Sequence, residues 1–261
     1  MSRIEWTEET WNPVTGCTKI SPGCDNCYMF AMYPRLRAMG AAGYETSPDD
    51  VRLQSDRLDQ PAKWRKGRLV FVNSMSDLFH AAVPYEYITY VFLQMMLTPQ
   101  HEYQVLTKRP GRAVGWWEAN KKHFWNGTWP PNVWMGVSVE TQKYAPRITV
   151  LNRLPAPVQF VSAEPLLGPV DLAEWLGNPH LVQPQLLKWV IVGGESGKGA
   201  RPMDMDWARG VRDQCEQARV PFFLKQLGGE RNKRGGAEAV LDGRTYQEYP
   251  VEKRWKERHG R

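Results

Sequence analysis

Six short runs rich in β-branched and aromatic residues recur along the chain, and their spacing constrains the fold more than any other feature. They are Leu69–Asn73, Tyr103–Thr107, Val133–Ser138, Val158–Ser162, Trp189–Val192 and Pro221–Lys225. Their ends lie about 25 to 35 residues apart, which fits a strand, a crossover helix and two loops. Between the first two runs, Ile88, Val91, Phe92, Met95 and Met96 fall at i, i+3, i+4, i+7 and i+8. That spacing makes one apolar helical face, stopped by Thr98-Pro99. Between the last two, Asp204 to Ala218 has the same character, with Trp207, Val211 and Cys215 on one side. Near-continuously apolar strands alternating with helices imply a parallel sheet buried on both faces. A further strand is expected near Thr10–Thr15, ahead of the first loop. The expectation is an α/β fold, a partial (β/α) barrel of about six to seven parallel strands, with an open doubly wound sheet as the alternative. Residues 1–230 would form the barrel-like domain and residues 231–261 a basic C-terminal extension.

The 261 residues are 42% hydrophobic and 24% charged, enough apolar material for a sizeable core, which excludes global disorder. The apolar runs are far shorter than the roughly 18 residues that span a bilayer, and the opening residues lack an apolar signal core. A cytoplasmic protein without a membrane partner is expected. The net charge of +6 is compatible with a polyanionic partner. Part of it sits in Lys253, Arg254, Lys256, Arg258 and Arg261, either a solvated tail or an electrostatic hold on phosphates.

Acidic residues follow several of the runs. Val137-Ser138-Val139-Glu140 and Val161-Ser162-Ala163-Glu164 repeat one strand ending, and Asp77 and Glu195 also stand just beyond strands. Barrel enzymes assemble their sites from such C-terminal strand ends, and these four carboxylates would also suit a magnesium- or manganese-dependent hydrolase or nuclease. Lys108 and Arg109 follow a strand as well, either as anion-binding cations or as a capped turn. The stretch Gly193 to Gly199 lacks the spacing of a phosphate loop and is expected to be a turn that lets a ligand approach closely. Trp116, Trp117, Trp125, Trp129 and Trp134 either stack on bases or fill a local core.

Three of the four cysteines, Cys17, Cys24 and Cys27, lie within eleven residues. An odd count in a cytoplasmic chain argues against disulfides. The Cys24-x-x-Cys27 turn brings two sulfurs together and the Gly/Pro-containing loop lets Cys17 fold back as a third. Three thiolates suit an iron–sulfur cubane with one iron open. Structural zinc needs a fourth ligand, for which His80 is the best candidate, and would make the chain a zinc-stabilised nucleic-acid-binding protein. A redox pair leaves Cys17 unexplained. Cys215, on the apolar side of an amphipathic segment, is expected in the core.

The segment Thr10 to Cys17, followed by Ser21 to Tyr28, resembles the opening of the phage-associated three-cysteine-motif proteins. Their later blocks follow in order: Asn73 to Phe79, Leu106 to Pro110, Gly136 to Glu140, Ser162 to Leu166 and Gly193 to Gly197. That family is itself similar to radical S-adenosylmethionine enzymes. The resemblance implies that Cys17, Cys24 and Cys27 ligate a [4Fe–4S] cluster whose open iron chelates S-adenosylmethionine, with reduction by an electron donor. It puts Asn73, Ser74, Ser76 and Asp77 where the methionine amino group binds. Ser138 and Glu140 would face the ribose or sulfonium, and Gly193 and Gly194 would lie beside the cofactor. Glu164, Glu195, Lys108 and Arg109 would be the catalytic groups. The implied substrate is a nucleobase or modified nucleotide in phage or bacterial DNA, in the cytoplasm of a bacterial or phage-infected cell. The first two cysteines are separated by six residues here, against three in the common radical-enzyme motif, and Asn26 stands where that motif has an aromatic residue.

Overall fold

The computed structural model describes residues 4–177 and 186–250, without the side chain of Trp125. Its seven-stranded sheet comprises β1 (Glu9–Trp11), β2 (Leu69–Val72), β3 (Glu102–Thr107), β4 (Val133–Ser138), β5 (Gln159–Ala163), β6 (Trp189–Gly193) and β7 (Phe222–Gln226). Neighbours in the sheet follow chain order from β1 to β7 without reversal. A doubly wound sheet reverses its order at a switch point; sequential order is the winding of a partial (β/α) barrel. The pairings β1 to β2, β2 to β3, β5 to β6 and β6 to β7 are parallel. All six expected runs are strands, and β2, β4, β5 and β6 are buried at every position, as a sheet covered on both faces requires.

The expected early strand is divided. Glu9–Trp11 joins the sheet, whereas Val14–Thr15 pairs antiparallel with Arg52–Leu53. Pro13 lies between them, and a residue without an N–H cannot continue a ladder. The helices are α1 (Tyr28–Ala38), α2 (Tyr85–Leu97), α3 (Pro110–Asn120), α4 (Pro146–Leu151), α5 (Ala173–Leu176) and α6 (Met205–Ala218). On α2 the expected face is buried at Ile88, Val91, Phe92 and Met95. Asp204 caps α6 by accepting from the Asp206 N–H, and Cys215 is fully buried on it. Among the described residues no helix is long and apolar enough to cross a membrane.

Backbone contacts divide the chain into two compact units. The first runs up to Gly136 and includes Arg153–Pro157. Its aromatic core joins Phe79, Phe92, Trp116, Trp117, Phe124 and Trp129, with the Phe92 and Trp116 rings 4.3 Å apart. These tryptophans fill a core and are not exposed for base stacking, because α2 and α3 present their apolar faces to each other here. The second unit comprises Val137–Asn152 and the chain from Val158 on. Phe160, Trp189 and Phe223 form its aromatic centre. Tyr246 and Tyr249 pack onto Phe222 and Trp189, and the Leu224 N–H donates to the Tyr246 carbonyl at 2.9 Å. The basic residues Lys253, Arg254, Lys256, Arg258 and Arg261 lie outside the described residues.

Candidate functional site

In the first unit the loop after β1 carries the three thiols. At Gly16 φ is +83°, and a Cβ there would lie 2.3 Å from the Asp50 carbonyl oxygen, so only glycine fits. The Cys17 N–H then donates to the Pro48 carbonyl at 2.9 Å. A single turn over Pro22–Cys24 leads to Cys27, the N-cap of α1, whose N–H donates to the Cys24 carbonyl at 3.3 Å. Cys17 and Cys27 pack against one apolar cluster of Met29, Tyr33, Tyr44 and Met75. The Tyr33 hydroxyl, buried in that cluster, has no hydrogen-bond partner. Burial pushes the Cys17 thiol up to about 12, helped by the Asp77 charge and opposed by Arg109. Burial likewise raises Cys27, opposed first by a hydrogen bond from the Met29 N–H and then by the Lys108 charge. The charge of Cys24 acts on both, so the three sulfurs share one neighbourhood.

Arg109 is the hub of this region. Its Nη1 donates to the Cys17 sulfur at 3.9 Å and to Asp77 Oδ2 at 2.9 Å, and its Nη2 donates to the Thr18 carbonyl at 3.0 Å. Asp77 also accepts from the Thr107 hydroxyl at 2.8 Å, the Phe79 N–H at 3.0 Å and the Lys108 N–H at 3.1 Å. The carboxylate thus fastens the end of β3 to the turn after β2 and aims Arg109 at the thiol loop. Asn73 takes the left-handed conformation at φ 61°, which asparagine tolerates. Its Oδ1 accepts from the Val14 N–H, while its buried Nδ2 has no hydrogen-bond partner. Ser74 donates to Asn12 Oδ1 and Ser76 to the Val14 carbonyl. Asn73, Ser74 and Ser76 therefore line the segment that leads into Cys17, while Arg109, held by Asp77, and Lys108 reach the loop from Cys17 to Ser21.

His80 braces the same loop. The Ala82 N–H donates to its Nδ1 at 3.1 Å, which leaves the ring proton on Nε2, 2.8 Å from the Thr18 hydroxyl. Both ring nitrogens are engaged, so His80 does not stand as a fourth zinc ligand. Burial, with Arg109 nearby, lowers its pKa. Among the described residues no group of three or more His, Cys, Asp or Glu side chains is arranged to hold a metal ion.

In the second unit every strand-end acid meets a cation. Glu140, fully buried, accepts from Arg147 at 2.9 Å, and the same Nη1 donates to the Ser138 carbonyl at 2.8 Å. Glu195 accepts from both the Arg201 backbone N–H and its Nε at 2.9 Å. Glu164, just after β5, pairs with Lys225 of β7. The strand between them, β6, ends in Gly193, where a Cβ would sit 3.2 Å from the Glu164 side chain. The missing side chain is what lets the pair close over that strand. At Gly194 a Cβ would lie 2.2 Å from the Leu227 carbonyl oxygen. The close approach expected for a ligand at this turn is taken instead by Glu164 and by the backbone of Leu227 and Gly228. Carboxylates neutralised by guanidinium or ammonium groups make poor ligands for a hard divalent ion, which does not favour the hydrolase reading. Arg147 carried no signal in the sequence, since six residues lie between it and Glu140.

No curated protein and no solved structure matches the chain. A family model matches residues 1–250, so the chain belongs to the family described as Protein of unknown function (DUF5131).

Proposed function

We propose that this protein is a radical S-adenosylmethionine-type enzyme in which Cys17, Cys24 and Cys27 hold a [4Fe–4S] cluster. The single observation that carries the reading is three unpaired thiols on one loop after the first strand of a sequentially wound parallel sheet, with two cations at hand. The donor set fits the group. Soft thiolates are iron–sulfur ligands, and a cubane spreads them over separate irons, so they need not converge as they would around one ion. The partnerless Tyr33 hydroxyl and Asn73 amide are donors left over beside this loop. The chemistry such a cluster supplies when bound is one-electron cleavage of the S-adenosylmethionine sulfonium to a 5′-deoxyadenosyl radical.

The chain's own residues bind, orient and shield. The thiols must lose their protons on loading, which Arg109 and Lys108 favour by charge. Arg109, held by Asp77, donates to Cys17 and fixes that ligand's direction. Ser74 and Ser76 spend their own protons on Asn12 and Val14, leaving oxygen lone pairs suited to an amino group's N–H donors. Glu164 and Glu195, each with its cation, are assigned to the substrate, since each pair offers both an acceptor and a donor. A nucleobase in DNA is the substrate this reading favours, supported by the net charge of +6.

Protein purified without oxygen should contain about four irons and four sulfides per chain and absorb in the visible. It should also form 5′-deoxyadenosine when reduced with S-adenosylmethionine. Cys17→Ser should abolish both. A colourless protein carrying one zinc would overturn the proposal.

A further inference from the structure

The outer face of α1 lies beside the thiol loop and is unusually apolar for a surface. Among the described residues nine large hydrophobic side chains are exposed, and four of them fall between Cys17 and Met39. Ile20 is 43% exposed, Tyr28 40%, Met32 45% and Met39 69%. Tyr28, Met32, Arg35 and Met39 stand at i, i+4, i+7 and i+11, one stripe along the helix, while Met29 and Tyr33 bury a neighbouring side of it. The Tyr28 hydroxyl is tied to the Ser74 carbonyl, so its ring is held at the surface. Between Cys17 and Met39 the charged residues are Lys19, Arg35 and Arg37, all exposed, against the single acid Asp25. Tyrosine, methionine and arginine are the residue types enriched where proteins dock, and a basic rim selects an acidic partner and speeds its encounter.

We infer that the Ile20, Tyr28, Met32 and Arg35 face is the docking surface for a small acidic electron-carrier protein. The inference rests on the iron–sulfur reading above. This face continues directly from the loop carrying Cys24 and Cys27, so a carrier seated on it is delivered to the thiol centre. A patch of a few side chains suits an electron-transfer encounter, which is brief and small in area. In the step, the carrier's flavin is oxidised by one electron and the cluster is reduced by one, with no bond made or broken.

Stopped-flow reduction of the iron-loaded protein by flavodoxin hydroquinone tests this, with sodium dithionite as a reductant that needs no docking. Met32→Glu combined with Arg35→Glu should slow reduction by flavodoxin at least tenfold and leave iron content and the dithionite rate unchanged. Leu97→Glu, on the exposed side of α2, should change neither rate. The wild-type flavodoxin rate should fall as salt is raised. A flavodoxin rate unchanged in the double variant overturns the docking surface while leaving the cluster intact. A dimer that the double variant dissociates overturns it in favour of a second copy of this chain. A wild-type protein that takes up no iron overturns both readings together.

Discussion

The two units treat their functional-looking residues in opposite ways. In the second, Glu140, Glu164 and Glu195 are each closed by a cation. In the first, one such pair, Asp77–Arg109, is turned toward Cys17, one of three thiols on this loop that form no disulfide. The contrast separates acids whose charge is already paired from sulfurs that form no disulfide. A carboxylate already satisfied by a guanidinium gains little from a further charge. A thiol raised by burial is a small neutral group until a soft metal replaces its proton.

Breaking the second unit's pairs should cost stability most. Glu140→Ala leaves the half-buried Arg147 without its counter-charge and should lose about 3 kcal/mol, read from urea unfolding. An unchanged urea midpoint would mean that Arg147 escapes to water, and Glu140 would return to the list of ligand-binding groups. Asp77→Asn keeps the shape but removes the charge, for about 1.5–3 kcal/mol of stability. It should also cut iron retention, whereas Glu140→Ala should cut stability alone. Equal iron retention in both variants would erase the distinction between the units. Gly193→Ala should cost about 1 kcal/mol, because a neighbouring side chain must yield for the new Cβ.

The smallest effect is on pH. His80 has a lowered folded pKa because burial and Arg109 disfavour its charged form. Its contribution to stability is therefore full above its ordinary value of about 6.5 and is lost as pH falls through the lower folded value. A second proton, on Nδ1, would also break the bond from the Ala82 N–H. The urea midpoint should drop between pH 7 and pH 5 more in the wild type than in His80→Gln. Equal drops would remove His80 as the brace of the thiol loop.

Much of the fold was legible because apolar runs at βα spacing admit few arrangements. Val133–Ser138 and its counterparts are too apolar to face water and too short for buried helices. The early strand departs from the sequence expectation only in its continuity, where Pro13 moves the second half into another ladder. The cysteines and strand-end acids were legible as residue types. Their partners were not: Arg109 lies 32 positions beyond Asp77 and Lys225 lies 61 positions beyond Glu164. The tryptophans near residue 120 read equally as core or surface, and the packing of Phe92 against Trp116 decides for core.

The sequence by itself therefore determined the strands of the sheet and where the thiols and strand-end acids fall along the chain, because periodicity and residue type are local properties. Only the tertiary structure decided which groups are spent on one another. Strand order in the sheet brings Glu164 over Gly193 to Lys225, and the turn after β2 carries Asp77 to Arg109 and Arg109 to Cys17. Hydrogen bonds and ion pairs act over about 3 Å, so they depend on distances in the folded chain that spacing along the sequence does not encode.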